Sequence, residues 1–184
     1  MITPAVVAFS ARQASGKSIV STAVAEELGW ARVGFGDYLR GLAASRGLST
    51  EREVLQKIGE RLVRDNLEQF CRDVLASGGW IPGRGIVLDG IRHSQTLGVL
   101  KDIVAPMPVI LIYLDVPDSV RNERLRARGL PEDVARHHEQ HSTEQQVIDT
   151  LPRLADLRVD ASISASSIKT EIISWIRERL VPRE

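Results

Sequence analysis

The chain has 184 residues, 43% of them hydrophobic, and its 24 Lys and Arg balance its 24 Asp and Glu. A chain of this length and composition can bury a core, which excludes a disordered or fibrous protein. Zero formal charge argues against a protein that binds duplex nucleic acid, because such domains are usually strongly basic. Any site for an anion must therefore be a local concentration of arginine residues.

The cysteine content and the N-terminal sequence narrow the possible kinds of site and the expected location of the protein. Cys71 is the single cysteine, which excludes an internal disulfide and a cysteine-rich zinc site, and we expect it to be a buried thiol without a chemical role. No stretch reaches the roughly 18 apolar residues that a membrane span needs. The N-terminus has neither a basic segment nor a cleavage site. We therefore expect a cytoplasmic protein that does not bind a membrane.

Short apolar runs alternate with helical patterns along the first half of the chain. The apolar runs predict buried strands at 6–10, 31–35 and 85–88. Apolar residues at helical spacing predict three helical regions, the third made of two helices, at 16–28, 37–44 and 50–77. A Gly34-x-Gly36 turn is expected to precede the second of these regions.

The alternation continues in the second half of the chain. Further strands are predicted at 109–114 and, more weakly, at 157–161. Further helices are predicted at 94–104, from 117 to about 128, at 143–154 and up to 180. Pro117 suits the first turn of its helix, and Ser167 can cap the last one. A polar segment, residues 129–142, separates the two groups of helices.

Strands that alternate with helices predict an α/β fold, in which a parallel five-stranded sheet carries helices on both faces. Ligands of such sheets bind beyond the carboxyl ends of the strands. We find no internal repeat, low-complexity segment or linker, so residues 1–184 are expected to form a single domain. Each of the motifs described below follows a predicted strand.

The first motif lies between the first strand and the first helix, at residues 11–18, which read Ala-Arg-Gln-Ala-Ser-Gly-Lys-Ser. It matches the phosphate-loop pattern G-x-x-x-x-G-K-[ST] at every position except the first. Backbone N–H groups are expected to cradle the β-phosphate of ATP, with Lys17 on the β- and γ-phosphates and the Ser18 hydroxyl on Mg²⁺. The predicted ATP-binding residues of the loop are Gln13, Ala14, Ser15, Gly16, Lys17 and Ser18.

Ala11 stands where the phosphate-loop pattern has its first glycine. If that position requires a positive φ, alanine costs on the order of 1 kcal/mol there. The loop would then be slightly reshaped, with a larger effect on catalysis than on nucleotide binding. An ordinary Ser-Gly-Lys-Ser loop without a nucleotide is the alternative.

A second motif follows the second strand, at residues 36–40, which read Gly-Asp-Tyr-Leu-Arg. It resembles the G-D-x-L-R segment of adenylate kinases, whose arginine grips the monophosphate of the acceptor. The resemblance implies a P-loop kinase fold of three layers. It assigns Asp37 and Arg40 to acceptor binding, within a helical part at residues 34–80. The alternative is a surface ion pair, because the two residues lie three apart on one face of a helix.

A third motif follows the third strand, at residues 88–92, which read Leu-Asp-Gly-Ile-Arg. It resembles the L-D-G-F-P-R of adenylate kinases and, more closely, the D-G-x-R of deoxynucleotide-kinase-like and phosphomevalonate-kinase-like proteins. By this resemblance Asp89 holds water bound to Mg²⁺, and Arg92 contacts the transferring phosphoryl group or the phosphate of the acceptor. The alternative is that Asp89 caps the helix that starts at Ser94.

A fourth motif follows the fourth strand, where Asp-Val-Pro-Asp at residues 115–118 precedes Arg121, Arg124 and Arg128. It is similar to the D-V-P-D…R…R run of adenylate kinases. That resemblance implies that Arg124 packs on the base of ATP. It also implies that Arg128, at the entrance of a short lid formed by residues 129–142, neutralises charge in the transition state. Alternatively, the arginines only favour a helix C-terminus, by roughly 0.3–1 kcal/mol each.

The predicted lid is polar and contains three histidines, of which His137 and His141 have the spacing of a helical metal site. We expect these two residues and His138 to be exposed lid side chains instead. Arg136 is a weaker candidate for a further phosphate contact. A lid that closes would exclude water, so that ATP is not simply hydrolysed.

Taken together, the resemblance implies a kinase of the nucleoside-monophosphate-kinase type, which uses ATP and Mg²⁺ and phosphorylates a small phosphorylated acceptor. A (deoxy)nucleoside monophosphate is the expected acceptor. AMP is disfavoured, because Phe35 replaces a threonine and Gln95 lies one position short of the glutamine that reads adenine. The predicted roles are catalysis for Lys17, Arg92 and Arg128, Mg²⁺ for Ser18 and Asp89, and acceptor binding for Asp37, Arg40 and Arg92.

Three alternatives to this function stay open on the sequence. One is a dephospho-CoA kinase or another kinase of a non-nucleotide small molecule, although its own signatures are missing. Another is a non-catalytic regulator that binds ATP, which the Ala11 replacement makes conceivable. The third is a kinase that acts on tRNA or DNA, which the neutral composition disfavours, so nucleic acid is not expected as a partner. The sequence names neither the acceptor nor the oligomeric state.

Overall fold

A computed structural model of the chain describes residues 2–129 and 145–181. Within these residues five strands form one parallel sheet in the order β2-β3-β1-β4-β5. The strands are β1 Val6–Ala11, β2 Ala31–Gly34, β3 Ile86–Asp89, β4 Val109–Asp115 and β5 Leu157–Asp160. The predicted parallel five-stranded sheet is therefore confirmed.

Seven α-helices lie within the same residues. They are α1 Lys17–Leu28, α2 Phe35–Ser45, α3 Arg52–Ser77, α4 Ser94–Val104, α5 Asp118–Ala127, α6 Leu151–Leu154 and α7 Ala165–Leu180. A π-helical turn, Gln146–Thr150, leads into α6. None of the helices in the described part of the chain combines the length and the apolar character that a bilayer span requires.

Helices cover both faces of the sheet because β1 is apolar on both sides. Its alternating side chains enter two separate cores. Val7 and Phe9 belong to one core with residues of α1 and α7. Val6 and Ala8 belong to the other, with residues of α3 and α4. The predicted three-layer arrangement is confirmed. Cys71 lies in the second core at 0% exposure, where burial raises the pKa of its thiol to about 12.

The register of the sheet brings the carboxyl ends of its inner strands together. Phe9 of β1 is level with Asp89 of β3, and Ala11 is level with Leu114 of β4. The phosphate loop leaves β1 at this edge. The motif residues at the ends of β1, β3 and β4 therefore meet at one edge of the sheet, as expected for a ligand site in a parallel sheet.

The two helices predicted at 50–77 are the two segments of α3, which is kinked at Asn66. Asn66 has φ −164° and ψ 87°, so it leaves the helical conformation. Its side-chain oxygen accepts a hydrogen bond from the N–H of Gln69 at 2.9 Å. An asparagine in this position is the N-cap of the segment that follows, which explains why the helical pattern divides there.

Three predicted details of the helix starts are wrong. No turn separates β2 from α2, because Gly34 is extended and the helix begins at Phe35. Pro117 is the extended residue before α5, which starts at Asp118. The cap of α7 is Ser164, whose hydroxyl accepts a hydrogen bond from the N–H of Ser167 at 3.1 Å. Each difference is within the few residues over which a helix can begin once neighbouring elements pack on it.

Candidate active site at the phosphate loop

The phosphate loop joins β1 to α1 through two residues in the left-handed region, Ala14 with φ 65° and Gly16 with φ 84°. The carbonyl of Gly16 accepts a hydrogen bond from the N–H of Ile19 at 3.1 Å, which starts the helix. The Ser15 hydroxyl accepts one from the N–H of Lys17 at 3.3 Å. The loop thus places the N-terminus of α1 at the carboxyl edge of the sheet, where the helix dipole favours an anion.

Ala11 is the last residue of β1 and is not strained. It pairs with Leu114 of β4 and is 3% exposed. Among the residues that the structure describes, Ala14 is the only non-glycine residue with a positive φ. The hypothesis that Ala11 needs a positive φ is therefore wrong. The strand extends one residue beyond its predicted end, which leaves the first position of the motif inside the sheet.

Lys17 and Asp89 form an ion pair between the start of α1 and the end of β3. The Lys17 ammonium donates to Oδ1 of Asp89, and their side chains are 15% and 5% exposed. Burial, and after it the guanidinium groups of Arg92 and Arg32, lower the pKa of Lys17 to about 7. The Asp89 carboxylate favours the charged ammonium, so the charge of Lys17 depends on its anionic partner.

Arg32 of β2 occupies the other oxygen of Asp89. Its guanidinium donates to Oδ2 of Asp89 at 2.5 Å, to the Ser21 hydroxyl at 3.0 Å and to Asp37 at 3.4 Å. The Ser21 hydroxyl itself lies 3.3 Å from Oδ2 of Asp89. Two cations and one hydroxyl therefore surround the Asp89 carboxylate, which satisfies the requirement that a buried charge be paired.

The alternative that Asp89 caps α4 is wrong. His93 is the residue before α4 and makes no side-chain cap. The N–H of Ser94 instead donates a hydrogen bond at 3.0 Å to Oε1 of Gln146, which belongs to the π-helical turn. The Asp89 side chain instead pairs with Lys17 at the phosphate loop.

Asp37 and Arg40 form the ion pair that their spacing allows, with 2.5 Å between Oδ1 and the guanidinium. Both side chains are about half exposed, at 51% and 55%. They also line one cavity of about 200 Å³ with the phosphate-loop site. The other motif residues in its wall are Lys17, Ser18, Asp89 and Arg92. The structure thus brings the first three motifs together around one space.

A second cavity, of about 320 Å³, lies beside the first and shares part of its wall. Its apolar wall includes Phe35 and Phe70, whose rings pack edge to face at 5.3 Å and 86°. Its polar wall includes Arg40, Arg52 and Arg92. An aromatic wall next to three cations suits a ligand that has a ring and an anionic group.

Arg92 is half-buried and lines both cavities. Desolvation, and after it the charge of Arg52, lower the pKa of its guanidinium to about 10. Two guanidinium groups that act on one another in a buried cavity raise the local potential for an anion. Arg52, the first residue of α3, is thus a site residue that the sequence motifs did not indicate.

The fourth motif also contacts the phosphate loop. Arg124 of α5 donates to the carbonyl of Ser15 at 3.2 Å and to the carbonyl of Ala161 at 2.9 Å. Arg12 of the loop donates to Asp118 at the start of α5, at 2.6 Å. These bonds hold α5 against the loop and place Arg124 beside the residues predicted to bind ATP.

Arg128 is exposed at the end of α5, where its N–H donates to the carbonyl of Leu125 at 3.1 Å. The predicted lid begins at the next residue, Gly129, which has φ 69°. The rest of that lid lies outside the described residues, together with the predictions made for it. These concern Arg136, His137, His138 and His141.

The residues predicted for Mg²⁺ fit an ion that arrives with a nucleotide. Ser18 and Asp89 line the same cavity. Asp89 has Lys17 and Arg32 on its two oxygens, which suits contact with the metal through water. Mg²⁺ is commonly bound by one or two protein groups, phosphate oxygens and several waters. The described residues contain no cluster of three His, Cys, Asp or Glu side chains that could hold a metal.

Comparison with known proteins places this site in a family. The profile of the AAA domain family matches residues 7–150, which include β1 from its second residue, β2 to β4 and the phosphate loop. The chain belongs to the AAA domain family. Within this family it is similar to P-loop nucleoside-monophosphate kinases, as the relatives below show, so the resemblance seen in the sequence is confirmed.

Two relatives of this AAA domain protein come from archaea. A UPF0200 protein of Aeropyrum pernix is 35% identical over 123 residues, which are 67% of this chain and 64% of that protein. A cytidylate kinase of Natronomonas pharaonis is 35% identical over 124 residues, which are 66% of this chain and 57% of that protein. The chain therefore matches less than two thirds of the length of either relative.

Solved structures confirm the fold of the AAA domain protein. The shikimate kinase of Acinetobacter baumannii, solved in complex with shikimate, superposes with a TM-score of 0.63 at 17% identity. The match covers 98% of this chain and 97% of that chain. At this identity the likeness concerns the fold alone, which is that of a P-loop kinase.

Two groups of site residues in the AAA domain protein were missed by the sequence motifs. Arg32 belongs to β2, and an arginine in a predicted buried strand was a signal, because it needs an anionic partner. Arg52 and Gln56 of α3 line the larger cavity. Only their helical spacing could have indicated them. Gln95, considered for reading a base, is exposed and lies outside the walls of both cavities.

Proposed function

We propose that the protein transfers the γ-phosphoryl group of ATP to a small phosphorylated acceptor, a (deoxy)nucleoside monophosphate. One observation carries the proposal. The cavity that contains Lys17 and Asp89 shares Arg40 and Arg92 with a larger cavity that has aromatic walls. Donor and acceptor would therefore meet between the phosphate loop and the two arginines.

The donor side follows from the phosphate loop. The N–H groups at the start of α1 would hold the β-phosphate, and Lys17 would exchange Asp89 for the β- and γ-phosphates. The released carboxylate of Asp89 and the Ser18 hydroxyl would hold Mg²⁺, Asp89 through water. Bound there, Mg²⁺ neutralises charge on the phosphate oxygens. Arg124, which is hydrogen-bonded to the loop carbonyl of Ser15, would pack on the base of ATP.

The acceptor side follows from α2 and the loop after β3. Arg40 and Arg92 would grip the monophosphate of the acceptor, and Asp37 would orient Arg40 through their ion pair. An oxygen of that monophosphate attacks the γ-phosphorus, and the bond from this phosphorus to the β–γ bridging oxygen breaks, which releases ADP. Lys17, Arg92 and Arg128 would neutralise charge that develops in the transition state.

The alternatives of a regulator and of a non-nucleotide kinase lose part of their support. A non-catalytic regulator was suggested by strain at Ala11, and Ala11 is an ordinary strand residue. Dephospho-CoA and other non-nucleotide acceptors have no observation in their favour. The test therefore includes dephospho-CoA as a possible acceptor.

The test is ATP consumption against a panel of nucleoside monophosphates, dephospho-CoA and nucleic acids, with the wild-type protein and two variants. Lys17→Ala should lower turnover by at least about 100-fold, because the Lys17 ammonium stabilises the transition state more than the ground state. Lys101→Ala, which removes an exposed cation of α4, is the matched control and should behave as wild type. Near-normal transfer by a folded Lys17→Ala protein would overturn the proposal.

A further inference from the structure

Arg92 lies in a short loop that two different elements hold in place. The loop joins the end of β3 to the start of α4, so it spans residues 90–93. The Arg92 side chain lines both cavities, and the proposed function assigns it to the acceptor and to the transition state. The position of this guanidinium therefore depends on what fixes the loop at each of its two ends.

The sheet fixes the first end of the loop. The N–H groups of Gly90 and Ile91 both donate to the carbonyl of Phe9 in β1, each at 3.0 Å. The carbonyl of Ile91 accepts a hydrogen bond from the buried Ser10 hydroxyl at 2.8 Å. Residues 90 and 91 are thus bonded to the central strand, and only residues 92 and 93 lie between them and α4.

The second end of the loop is fixed by a residue from a distant part of the chain. A helix usually begins after Ser, Thr, Asp or Asn, whose side chain accepts a hydrogen bond from an N–H of the first turn. His93 precedes α4 and makes no such bond. Oε1 of Gln146 accepts instead, from the N–H of Ser94 at 3.0 Å and from the Ser94 hydroxyl at 3.3 Å. Gln146 therefore caps a helix that begins 52 positions before it.

The backbone of Gln146 is itself anchored in the core. Gln146 begins the π-helical turn, and its carbonyl accepts a hydrogen bond from the N–H of Leu151. Val147 and Leu151 are both buried in the second core. π-helical turns are rare and occur frequently at functional sites. The core thus holds the backbone of Gln146, and the side chain reaches the start of α4 from there.

We propose that Gln146 is a positioning residue, which holds the Arg92 loop in place by capping α4. The use of that loop for the acceptor rests on the proposed function. Without the Gln146 side chain, residues 92 and 93 would be fixed at one end only. A displacement of about 1 Å at a reacting site can lower a rate about 100-fold. Gln146 is not in the wall of either cavity, so it acts through Arg92 and not on the acceptor itself.

Gln146→Ala tests the inference by steady-state kinetics, with the nucleoside monophosphate that the wild-type protein phosphorylates fastest. It should lower kcat/KM for that acceptor about 10- to 100-fold and leave the KM for ATP within about twofold. Gln146→Glu should stay within about threefold of wild type, because a carboxylate also accepts hydrogen bonds and suits the start of a helix. Gln145→Ala is the matched control, since Gln145 is the adjacent, exposed glutamine.

The Arg92→Ala background distinguishes positioning from a general loss of stability. If Gln146 acts through Arg92, Gln146→Ala should change kcat/KM by less than about twofold in a protein that already carries Arg92→Ala. Single-turnover reactions with excess protein make the slow variants measurable. A purely structural role would lower kcat/KM by the same factor in both backgrounds. That result, or a Gln146→Glu protein as impaired as Gln146→Ala, would overturn the inference.

Thermal unfolding of each variant checks that the fold is kept. Gln146→Met, which has a similar length but lacks the acceptor oxygen, should behave as Gln146→Ala and replaces it if the alanine variant does not fold. A Gln146→Met protein with wild-type kcat/KM would overturn the inference.

Hydrogen exchange separates the inference from the proposed function, because it needs no catalysis. Exchange of the amides at residues 90–97, measured by mass spectrometry on the full chain, should be faster in Gln146→Ala and unchanged in Gln146→Glu and Gln145→Ala. Unchanged exchange in Gln146→Ala would overturn the inference. Faster exchange in a protein whose wild type phosphorylates no nucleoside monophosphate would support the hold of Gln146 on the Arg92 loop and overturn the proposed function.

Discussion

At the scale of single residues, Ala14 carries the strain that the motif comparison assigned to Ala11. Ala14 has φ 65° and is 6% exposed, with its side chain against Leu125 of α5. A left-handed residue with a Cβ costs roughly 1–2 kcal/mol. The phosphate loop therefore stores a small strain at the position that packs on α5, and the first position of the motif is an ordinary strand residue.

A matched pair of glycine variants tests this assignment. Ala14→Gly should gain about 1 kcal/mol of unfolding free energy relative to Ala11→Gly, because only the first relieves a positive φ. Ala11→Gly should lower the unfolding free energy by roughly 0.5–1 kcal/mol, since it adds freedom to the unfolded chain. Chemical denaturation measures both. Equal effects of the two variants would show that the strain at Ala14 is negligible.

The lowered pKa of Lys17 predicts that the protein takes up a proton when ATP binds. Its pKa in the free protein is about 7, lowered by burial and by Arg92 and Arg32, and the phosphates of ATP should raise it. Binding at about pH 8 should therefore take up nearly one proton, and the Kd for ATP should rise by up to about tenfold per pH unit above about pH 7.

Calorimetry in buffers of different ionisation enthalpy measures that proton. Lys17→Arg is the control, because its guanidinium stays charged over the same pH range and should take up no proton. Binding that is independent of the buffer in wild type would mean that the Asp89 carboxylate keeps Lys17 fully charged before ATP arrives.

At the scale of elements, α2 and α5 approach the phosphate loop from different sides. Arg40 of α2 lies in the wall that the two cavities share. Arg128 directly follows α5, the helix that Arg124 bonds to the loop. The two arginines should therefore have different kinetic roles, one on a phosphate that does not react and one on charge that develops during reaction.

Arg40→Ala should raise the KM for the acceptor about 10- to 100-fold and leave the KM for ATP nearly unchanged. The reason is that an arginine bound to a phosphate that does not react stabilises the ground state and the transition state equally. Arg128→Ala should instead lower kcat, because its partner charge develops only in the transition state. Steady-state kinetics with each substrate varied in turn distinguishes the two. An Arg40→Ala protein that loses affinity for ATP and keeps that for the acceptor would place the acceptor elsewhere.

At the scale of the whole molecule, a line of charges crosses the carboxyl edge of the sheet from α2 to the phosphate loop. Arg40 pairs with Asp37, Arg32 joins Asp37 to Asp89, and Asp89 pairs with Lys17. The members come from α1, α2, β2 and β3. The net charge of the chain is zero, yet three cations and two carboxylates lie together in this line.

Arg32 is the central member of this line, and we expect it to position Asp89. Arg32→Ala should lower kcat by about 10- to 100-fold and raise the Mg²⁺ concentration needed for half-maximal activity, since Asp89 would turn wholly to Lys17. Arg32→Lys should recover part of the activity by restoring a charge. Arg72→Ala, which breaks an exposed pair with Glu68, is the control. An unchanged Mg²⁺ requirement in a folded Arg32→Ala protein would contradict this role.

The sequence by itself determined the order of strands and helices, because apolar periodicity and glycine-rich turns are local properties of the chain. The motif at residues 11–18 also indicated the phosphate loop, and the resemblance of residues 88–92 to kinase motifs indicated Asp89 and Arg92, which line one cavity with Lys17. The division of α3 was likewise predicted, as two helices within residues 50–77, and the structure places the kink at Asn66.

Tertiary structure decided which side chains share a site. Arg32 reaches Asp89 because β2 pairs with β3, and residues 57 positions apart become neighbours only through that pairing. Gln56 and Glu60 face the cavity because α3 packs against α2 and α4, an arrangement that the helical pattern does not specify. Local patterns encode which face of an element is apolar. The partners of its polar residues depend on how the elements pack, which is a property of the whole chain.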